Sequence, residues 1–296
     1  MNQTAPRRTV RRGGIRRLCL LLSLMLLMGS IGIVSASAAP AVTFPSGSQT
    51  ARVYLDGKEI LSGECALINS VTYVPLRKFC NFFDDCTITW NAKTNTATVK
   101  TDSLTLIAQT GALYITANGH YFYTVEKIIN LNGTLYVPIR PLTRAFNASL
   151  KWNNSTRATE VTSPKGTPAV AYASYNSDEV YWLSRIISAE SKGEPFQGQI
   201  AVGNVVLNRV ASPQYPNTIY GVIFDRKYGT QFSPVSYGTI YQTPTESAII
   251  AAKICLEGYT LSDEILFFYN PKIATSNWIG RTRPYAFTIG NHKFYK

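Results

Sequence analysis

Histidine is nearly absent from this chain, with two in 296 residues, and cysteine is scarce, with five. Cys65, Cys80 and Cys86 lie near one another, Cys255 stands alone, and Cys19 falls in the N-terminal segment. That inventory does not supply a four-ligand zinc set, so neither a metal nor any other cofactor is expected. Acidic residues are few, 17 against 29 lysines and arginines, and the formal net charge is +12. No Arg/Lys-rich helix or nucleic-acid motif accompanies the excess, so nucleic acid is not an expected partner. Long apolar runs are missing after the first 34 residues, which excludes a multispanning membrane protein. The hydrophobic content of 45% with 16% charged residues is that of a globular chain, with room for two modest domains.

The N-terminus reads as a targeting segment. Six arginines (Arg7, Arg8, Arg11, Arg12, Arg16, Arg17) precede an apolar run from Leu18 to Val34, and Ala36-Ser37-Ala38 has the form of a signal-peptidase site. Residues 1–39 are therefore expected to be a signal peptide cleaved near Ala38. An uncleaved anchor is the rival, since about 17 apolar residues approach the shortest membrane span. Without that segment the net charge falls to +6, which suits an anionic surface outside the cell. In an oxidising compartment a disulfide between two of Cys65, Cys80 and Cys86 is plausible, although sequence does not choose the pair.

A repeat lies between residues 52 and 161. Tyr73-Val74-Pro75-Leu76-Arg77 matches Tyr136-Val137-Pro138-Ile139-Arg140. Turn signals (Asp56-Gly57 and Asn118-Gly119) and a short alternating strand precede each copy. A helix-sized stretch with Phe82 and Phe83, or Phe146, follows, then a strand carrying Trp90-Asn91 or Trp152-Asn153. The unit predicts strand, turn, strand, proline-initiated helix and hairpin, with two copies burying their apolar faces on each other. This pattern resembles the copper amine oxidase N-terminal domain, a stalk-like module. The resemblance implies a wall-binding or spacer role without chemistry, its aromatic residues serving as core and His120 as a surface or turn residue.

Residues 163–176 are rich in Pro, Gly, Ser and Ala and read as a linker. The signal then becomes helical. Asn176 or Ser177 can cap a helix with Asp178 and Glu179 in its first turn, and Gly193 and Pro195 end it. Val180, Leu183 and Ile187 recur at helical spacing, and Glu190 continues their series into the last turn. A carboxylic acid against apolar neighbours resists ionising, which a general acid near neutral pH requires. The plainer alternative is an acid that reaches solvent or pairs with Arg185 or Lys192. Thr243-Pro244-Thr245-Glu246 reads as a capping box opening a further helix that Gly258 closes.

The run Ile187-Ser188-Ala189-Glu190-Ser191-Lys192-Gly193-Glu194-Pro195 continues through Gly198-Gln199-Ile200-Ala201-Val202-Gly203-Asn204 to Asn208-Arg209-Val210. Gln231-Phe232-Ser233-Pro234, Tyr269-Asn270-Pro271, Trp278 and Gly290-Asn291-His292 follow in order. Together they resemble the spore cortex-lytic enzyme (SleB-like) cell-wall hydrolase family over residues 177–296. The resemblance implies a lysozyme-like fold related to lytic transglycosylases. It also implies peptidoglycan as substrate, a cell-wall or spore-envelope location, and the glutamate of A-E-[AS]-x-G-E-P, here Glu190, as catalyst.

The expected fold is thus α+β: a repeated strand/helix domain over 50–162, then a mainly helical domain over 177–296. Glycoside hydrolysis usually needs two carboxylates. Glu194 is read as steadying its turn, and Asp225, Asp263 and Glu264 sit in loops without a motif. One carboxylate suits anhydro-forming cleavage, with a water-using muramidase as the alternative. Gln231, Phe232, Ser233, Tyr237, Tyr269, Asn270 and Trp278 are candidates for lining a sugar groove, because such sites pair aromatic faces with polar groups. Two rivals stand beside this reading. One is a non-catalytic peptidoglycan-binding protein, and the other an amidase using Cys255 and His292.

Overall fold

The computed structural model describes residues 43–227 and 229–296. The expected signal peptide lies outside them. Among the described residues no helix is long and apolar enough to cross a membrane.

The first part is built from β1 (Gln49–Leu55), β2 (Lys58–Ile68), β3 (Val71–Pro75), α1 (Leu76–Cys80), β4 (Thr87–Asn91), β5 (Thr96–Lys100), β6 (Thr105–Gln109), β7 (Tyr114–Ala117), β8 (His120–Tyr123), β9 (Ile129–Leu131), β10 (Thr134–Pro138), α2 (Ile139–Ala145), β11 (Ser149–Asn153) and β12 (Ala158–Thr162). Asp56-Gly57, Asn118-Gly119 and Asn132-Gly133 make its tight hairpins, both residues of each pair having positive φ. Pro75 and Pro138 stand at the N-caps of α1 and α2, as the repeat predicts. The matching pentapeptides lie side by side: β3 and β10 pair antiparallel with Val74 opposite Val137. Phe83 and Phe146 stack between the copies, with centroids 4.7 Å apart.

The copies are more entangled than two units laid face to face. Seven strands run β11-β12-β1-β2-β3-β10-β9, and five run β4-β5-β6-β7-β8. The closing hairpin β4–β5 of the first copy therefore extends the sheet that the second begins, while β12 of the second pairs parallel with β1 of the first. Tyr73, Phe79, Phe122, Tyr136 and Phe146 are buried. Trp90 and Trp152 depart from the expected core role. They sit on the edge strands β4 and β11, which no further strand covers, and keep 45% and 42% of their surface exposed.

No disulfide joins Cys65, Cys80 and Cys86. The first two are buried thiols in the core, with the Cys65 thiol pushed up to about 12 by burial. The Cys86 thiol donates to Asn81 Oδ1.

The second part comprises α3 (Ser177–Ser191), α4 (Phe196–Ala211), α5 (Ile219–Phe224), α6 (Ser233–Ser236), α7 (Glu246–Leu256), β13 (Phe267–Tyr269), α8 (Trp278–Thr282), β14 (Tyr285–Ile289) and β15 (His292–Tyr295). Asn176 caps α3, its Oδ1 accepting from the Asp178 and Glu179 amides. α7 starts later than the capping box suggests: Thr245, not Thr243, is the cap, with Oγ1 accepting from Ala248 N. α3, α4 and α7 pack so closely that a Cβ on Gly203 would lie 2.7 Å from Cys255 Sγ and 2.9 Å from Ile187 Cδ1. Asn204 and Asn208, one turn apart on α4, clamp the loop before β13. Asn204 bonds Tyr259 O and Leu261 N, and Asn208 bonds Ser262 O and Ile265 O. The sheet β13-β15-β14 then closes the C-terminus.

The two parts share an interface. Glu257, at the end of α7, receives His120 Nδ1 at 2.7 Å and the Tyr175 hydroxyl, with Arg144 Nη2 at 3.8 Å. Tyr123 of β8 packs on Tyr259 at 4.4 Å and on Phe196 at 6.4 Å. His120 is thus an interdomain contact rather than a plain turn residue. Composition alone does not capture the linker either. Val170 and Ala173 amides bond Ala145 O and Asn118 O, and Asn147 holds Ala169 O, so the segment lies strapped along the first domain.

Candidate active site

Glu190 occupies the last turn of α3, where Leu183, Ile186 and Ile187 on the same side are fully buried. Burial pushes its carboxyl up to about 7 from the ordinary 4.5, and the positive charge of Arg209 opposes that rise. The acid therefore holds its proton near neutrality. Ser191 next to it does not compete, because its hydroxyl donates back to Ile187 O at 2.6 Å.

Arg209, which the sequence offered only as part of a motif, is the charge that acts on Glu190. It follows Val202, Val205 and Val206 on α4 at the helical spacing that marked Glu190 on α3, so the same signal was available. Only 5% of its surface is exposed. Its guanidinium lies 5.1 Å from the ring centroids of Tyr215 and Phe232 and 5.5 Å from that of Phe267, and Nε donates to Leu266 O at 2.8 Å. Among the described residues Nη1 has no hydrogen-bond partner. Burial pulls the guanidinium below its ordinary value, while Tyr215, Asp225 and Glu190 act in the opposite sense.

The groove candidates divide around this box. Phe232 is 97% buried against Arg209 and Phe268, so its ring is a packing element and has no free face for a sugar. Gln231 is half-buried, with Nε2 on Gly229 O, and Ser233 is exposed at the start of α6. Tyr237, just past α6, is 79% exposed. From the other side Trp278 meets Phe267 edge-on at 6.3 Å, and Phe267 is a wall of the Arg209 box. Tyr269 stacks on Tyr295, and Asn270 caps its own turn through Lys272 N.

Glu194 has the steadying part expected of it. Its carboxylate accepts from Asn291 N at 2.8 Å and Asn291 Nδ2 at 3.1 Å, tying the turn after Glu190 to the β14–β15 hairpin. Burial alone would raise its pKa, but these bonds, with His292 and Lys272 nearby, hold it below the ordinary value. Asp225 acts on Arg209 and caps its own turn at Lys227 N.

Cys255 does not fit a nucleophile's place. It is buried among α4 and α7 with Sγ on Ile200 O, and burial drives its thiol far above the range of a reactive cysteine. His292 packs instead on Phe268 and Phe294 in the C-terminal sheet.

Residues 193–295 match the family model described as Cell Wall Hydrolase, and residues 54–161 match the copper amine oxidase N-terminal domain. The chain is 38% identical over 146 residues to a spore cortex-lytic enzyme of Bacillus cereus, covering 49% of this chain and 55% of that protein. It is 38% identical over 120 residues to the spore cortex-lytic enzyme of Bacillus subtilis, covering 40% and 38%. The chain thus spans about half the length of the first of these relatives and less of the second. A solved catalytic domain of the germination-specific lytic transglycosylase SleB from Bacillus anthracis is 39% identical, covering 45% of this chain and 99% of that one, with a TM-score of 0.38. The C-terminal part of the chain is thus similar to cell wall hydrolases, and a segment similar to the copper amine oxidase N-terminal domain precedes it.

Proposed function

We propose that this chain is a secreted peptidoglycan-cleaving enzyme of the spore cortex or cell wall, working as a lytic transglycosylase with Glu190 as its single acid and base. The observation that carries the reading is the environment of Glu190: a carboxyl desolvated to a pKa of about 7, with an arginine as the charge that acts on it. Protonated Glu190 donates to the glycosidic oxygen between N-acetylmuramic acid and N-acetylglucosamine as the C1–O bond breaks. The resulting carboxylate takes the proton of the muramoyl C6 hydroxyl while that oxygen bonds to C1. The product is a 1,6-anhydro end, Glu190 regains its proton, and no water is consumed. Arg209 steadies the carboxylate in the interval. The Gln231–Ser233 loop and the Tyr269–Trp278 arm border the same aromatic box, which supports the polar and aromatic members of both, Phe232 apart, as groove residues.

The water-using alternative requires a second carboxylate. Asp225 is the candidate, since it acts on Arg209 from the loop after α5. Mass spectrometry of peptidoglycan digested by the full chain separates the chemistries. Anhydromuramic ends support transglycosylation, reducing muramic ends a muramidase, and released peptides an amidase. Glycan cleavage retained by Glu190→Gln would remove the central assignment.

A further inference from the structure

An open cavity of about 450 Å³ lies where the two domains meet. Gln109 and Tyr114 line it from the first domain, and Phe196, Glu246, Ser247 and Ile250 from the second. The Tyr114 and Phe196 rings stand 6.2 Å apart between centroids at 45°, forming an aromatic corner that neither domain has alone. Gln109 is exposed, its side-chain nitrogen anchored on Thr94 O at 2.9 Å. Glu246 is exposed in the first turn of α7, and the Ser247 hydroxyl lies 3.1 Å from Thr245 Oγ1.

The cavity borders the turn that carries Glu190. Ser188, two residues before Glu190, accepts Thr245 N at 3.2 Å, and Thr245 directly precedes the lining residues Glu246 and Ser247. Phe196 opens α4 just beyond the Gly193-Glu194-Pro195 turn that follows Glu190. Positions two apart on a helix point roughly 200° from each other. The Arg209 box and the interdomain cavity therefore flank the C-terminal turn of α3 on opposite sides. A glycan strand bound at Glu190 reaches the cavity only by passing round the end of that helix.

We infer that the interdomain cavity is a distal subsite for the uncharged N-acetylated sugar units of a glycan strand, so that the first domain takes a direct part in substrate binding. The inference rests on the proposal that a glycan strand is cut at Glu190. Aromatic faces, a side-chain amide, a hydroxyl and a carboxylate acceptor are the groups that hold sugar rings and their N–H and O–H donors. Glu246 is the charged member of the lining, and it repels the carboxylates of stem peptides while accepting hydrogen bonds from neutral sugars.

The test uses the full chain carrying Glu190→Gln, which binds without turnover, titrated with a tetramer of N-acetylglucosamine by calorimetry. Adding Gln109→Ala and Glu246→Ala together, both on the surface, is expected to weaken binding about tenfold, a few-fold for each hydrogen-bonding group removed. Glu246→Gln in place of Glu246→Ala recovers part of the loss. Tyr114→Ala gives a further drop and Tyr114→Phe a small one, with thermal unfolding checking that the domains stay joined. Equal affinity in all variants overturns the inference, as does no binding of the tetramer by the Glu190→Gln chain. Uptake of an ammonium-bearing stem peptide in place of the sugar overturns it too. Cleavage by Glu190→Gln is scored separately, so failure of the Glu190 assignment is distinguishable from failure of the subsite.

Discussion

The raised pKa of Glu190 makes a thermodynamic prediction independent of any activity assay. A carboxyl that titrates at 4.5 in the unfolded chain and at about 7 in the folded one binds its proton more tightly when folded. Its contribution to stability is fully present below pH 4.5 and is lost as pH rises through 7, because the folded chain must then bury an ionised carboxylate. At about 1.4 kcal/mol per pH unit, the interval from 4.5 to about 7 sets an upper bound of about 3.5 kcal/mol. Residual solvent contact at Glu190 brings the expected figure to about 2 kcal/mol. Glu190→Gln keeps the shape of the protonated acid and cannot ionise. The variant should therefore match the wild-type chain at pH 4 and exceed it by about 2 kcal/mol at pH 9. Urea unfolding of both proteins from pH 4 to 9 measures the gap. A gap that does not widen with pH refutes the buried-acid account, and one that narrows reverses its sign. The same titration places the alkaline limb of kcat/KM near pH 7, since the acid must be protonated to donate.

Further expectations bear on the surroundings of that acid. Arg209→Met removes the charge that opposes the rise in the Glu190 pKa, so the alkaline limb should move to higher pH; an unmoved limb in the pH–rate profile separates Arg209 from the chemistry. Asp225→Asn should still release anhydromuramic ends in the mass spectrum, whereas a muramidase that relies on Asp225 would lose cleavage. Gly203→Ala forces a methyl group against Cys255 and Ile187 and should cost about 1–3 kcal/mol in denaturant unfolding. Glu257→Ala removes the acceptor that the Tyr175 hydroxyl and His120 Nδ1 share at the domain interface, and it should cost about 1–3 kcal/mol and speed protease cutting between residues 163 and 176.

Helical periodicity, a local signal, put Glu190 on the apolar face of its helix, and the resemblance of the surrounding motif made it the catalytic candidate. Glu190 follows Val180, Leu183 and Ile187 on one helix, and its burial needs only that this face be covered. Arg209 obeys the same period, but its meaning depends on Tyr215, Phe232 and Phe267, which come from three other segments and are brought together by the fold. Phe232 shows the converse. A motif aromatic looks the same in sequence whether its ring faces a sugar or a guanidinium, and here the guanidinium takes it. The repeat gave away its turns and its proline-started helices, which are local. It did not reveal that the hairpins cross between copies, since an alternating strand carries no information about which partner covers it.

The interdomain strap shows the same limit with a consequence for substrate binding. Pro, Gly and Ser between residues 163 and 176 have the composition of a flexible tether, yet the amides of Val170 and Ala173 are bonded to the first domain, and Tyr175 is bonded to Glu257 of the second. A tether would leave the spacing of Gln109 and Tyr114 from Phe196 and Glu246 to the direct contacts His120–Glu257 and Tyr123–Tyr259 alone. A strap holds them across one cavity. Cutting the strap without changing any lining residue should therefore weaken tetramer binding in the Glu190→Gln chain. Replacing residues 164–174 with a Gly/Ser chain of equal length tests this directly. The tetramer affinity should fall while the helical domain, read by circular dichroism, stays folded. If affinity survives, the cavity does not depend on the strap, and the His120–Glu257 and Tyr123–Tyr259 contacts suffice to hold the domains together.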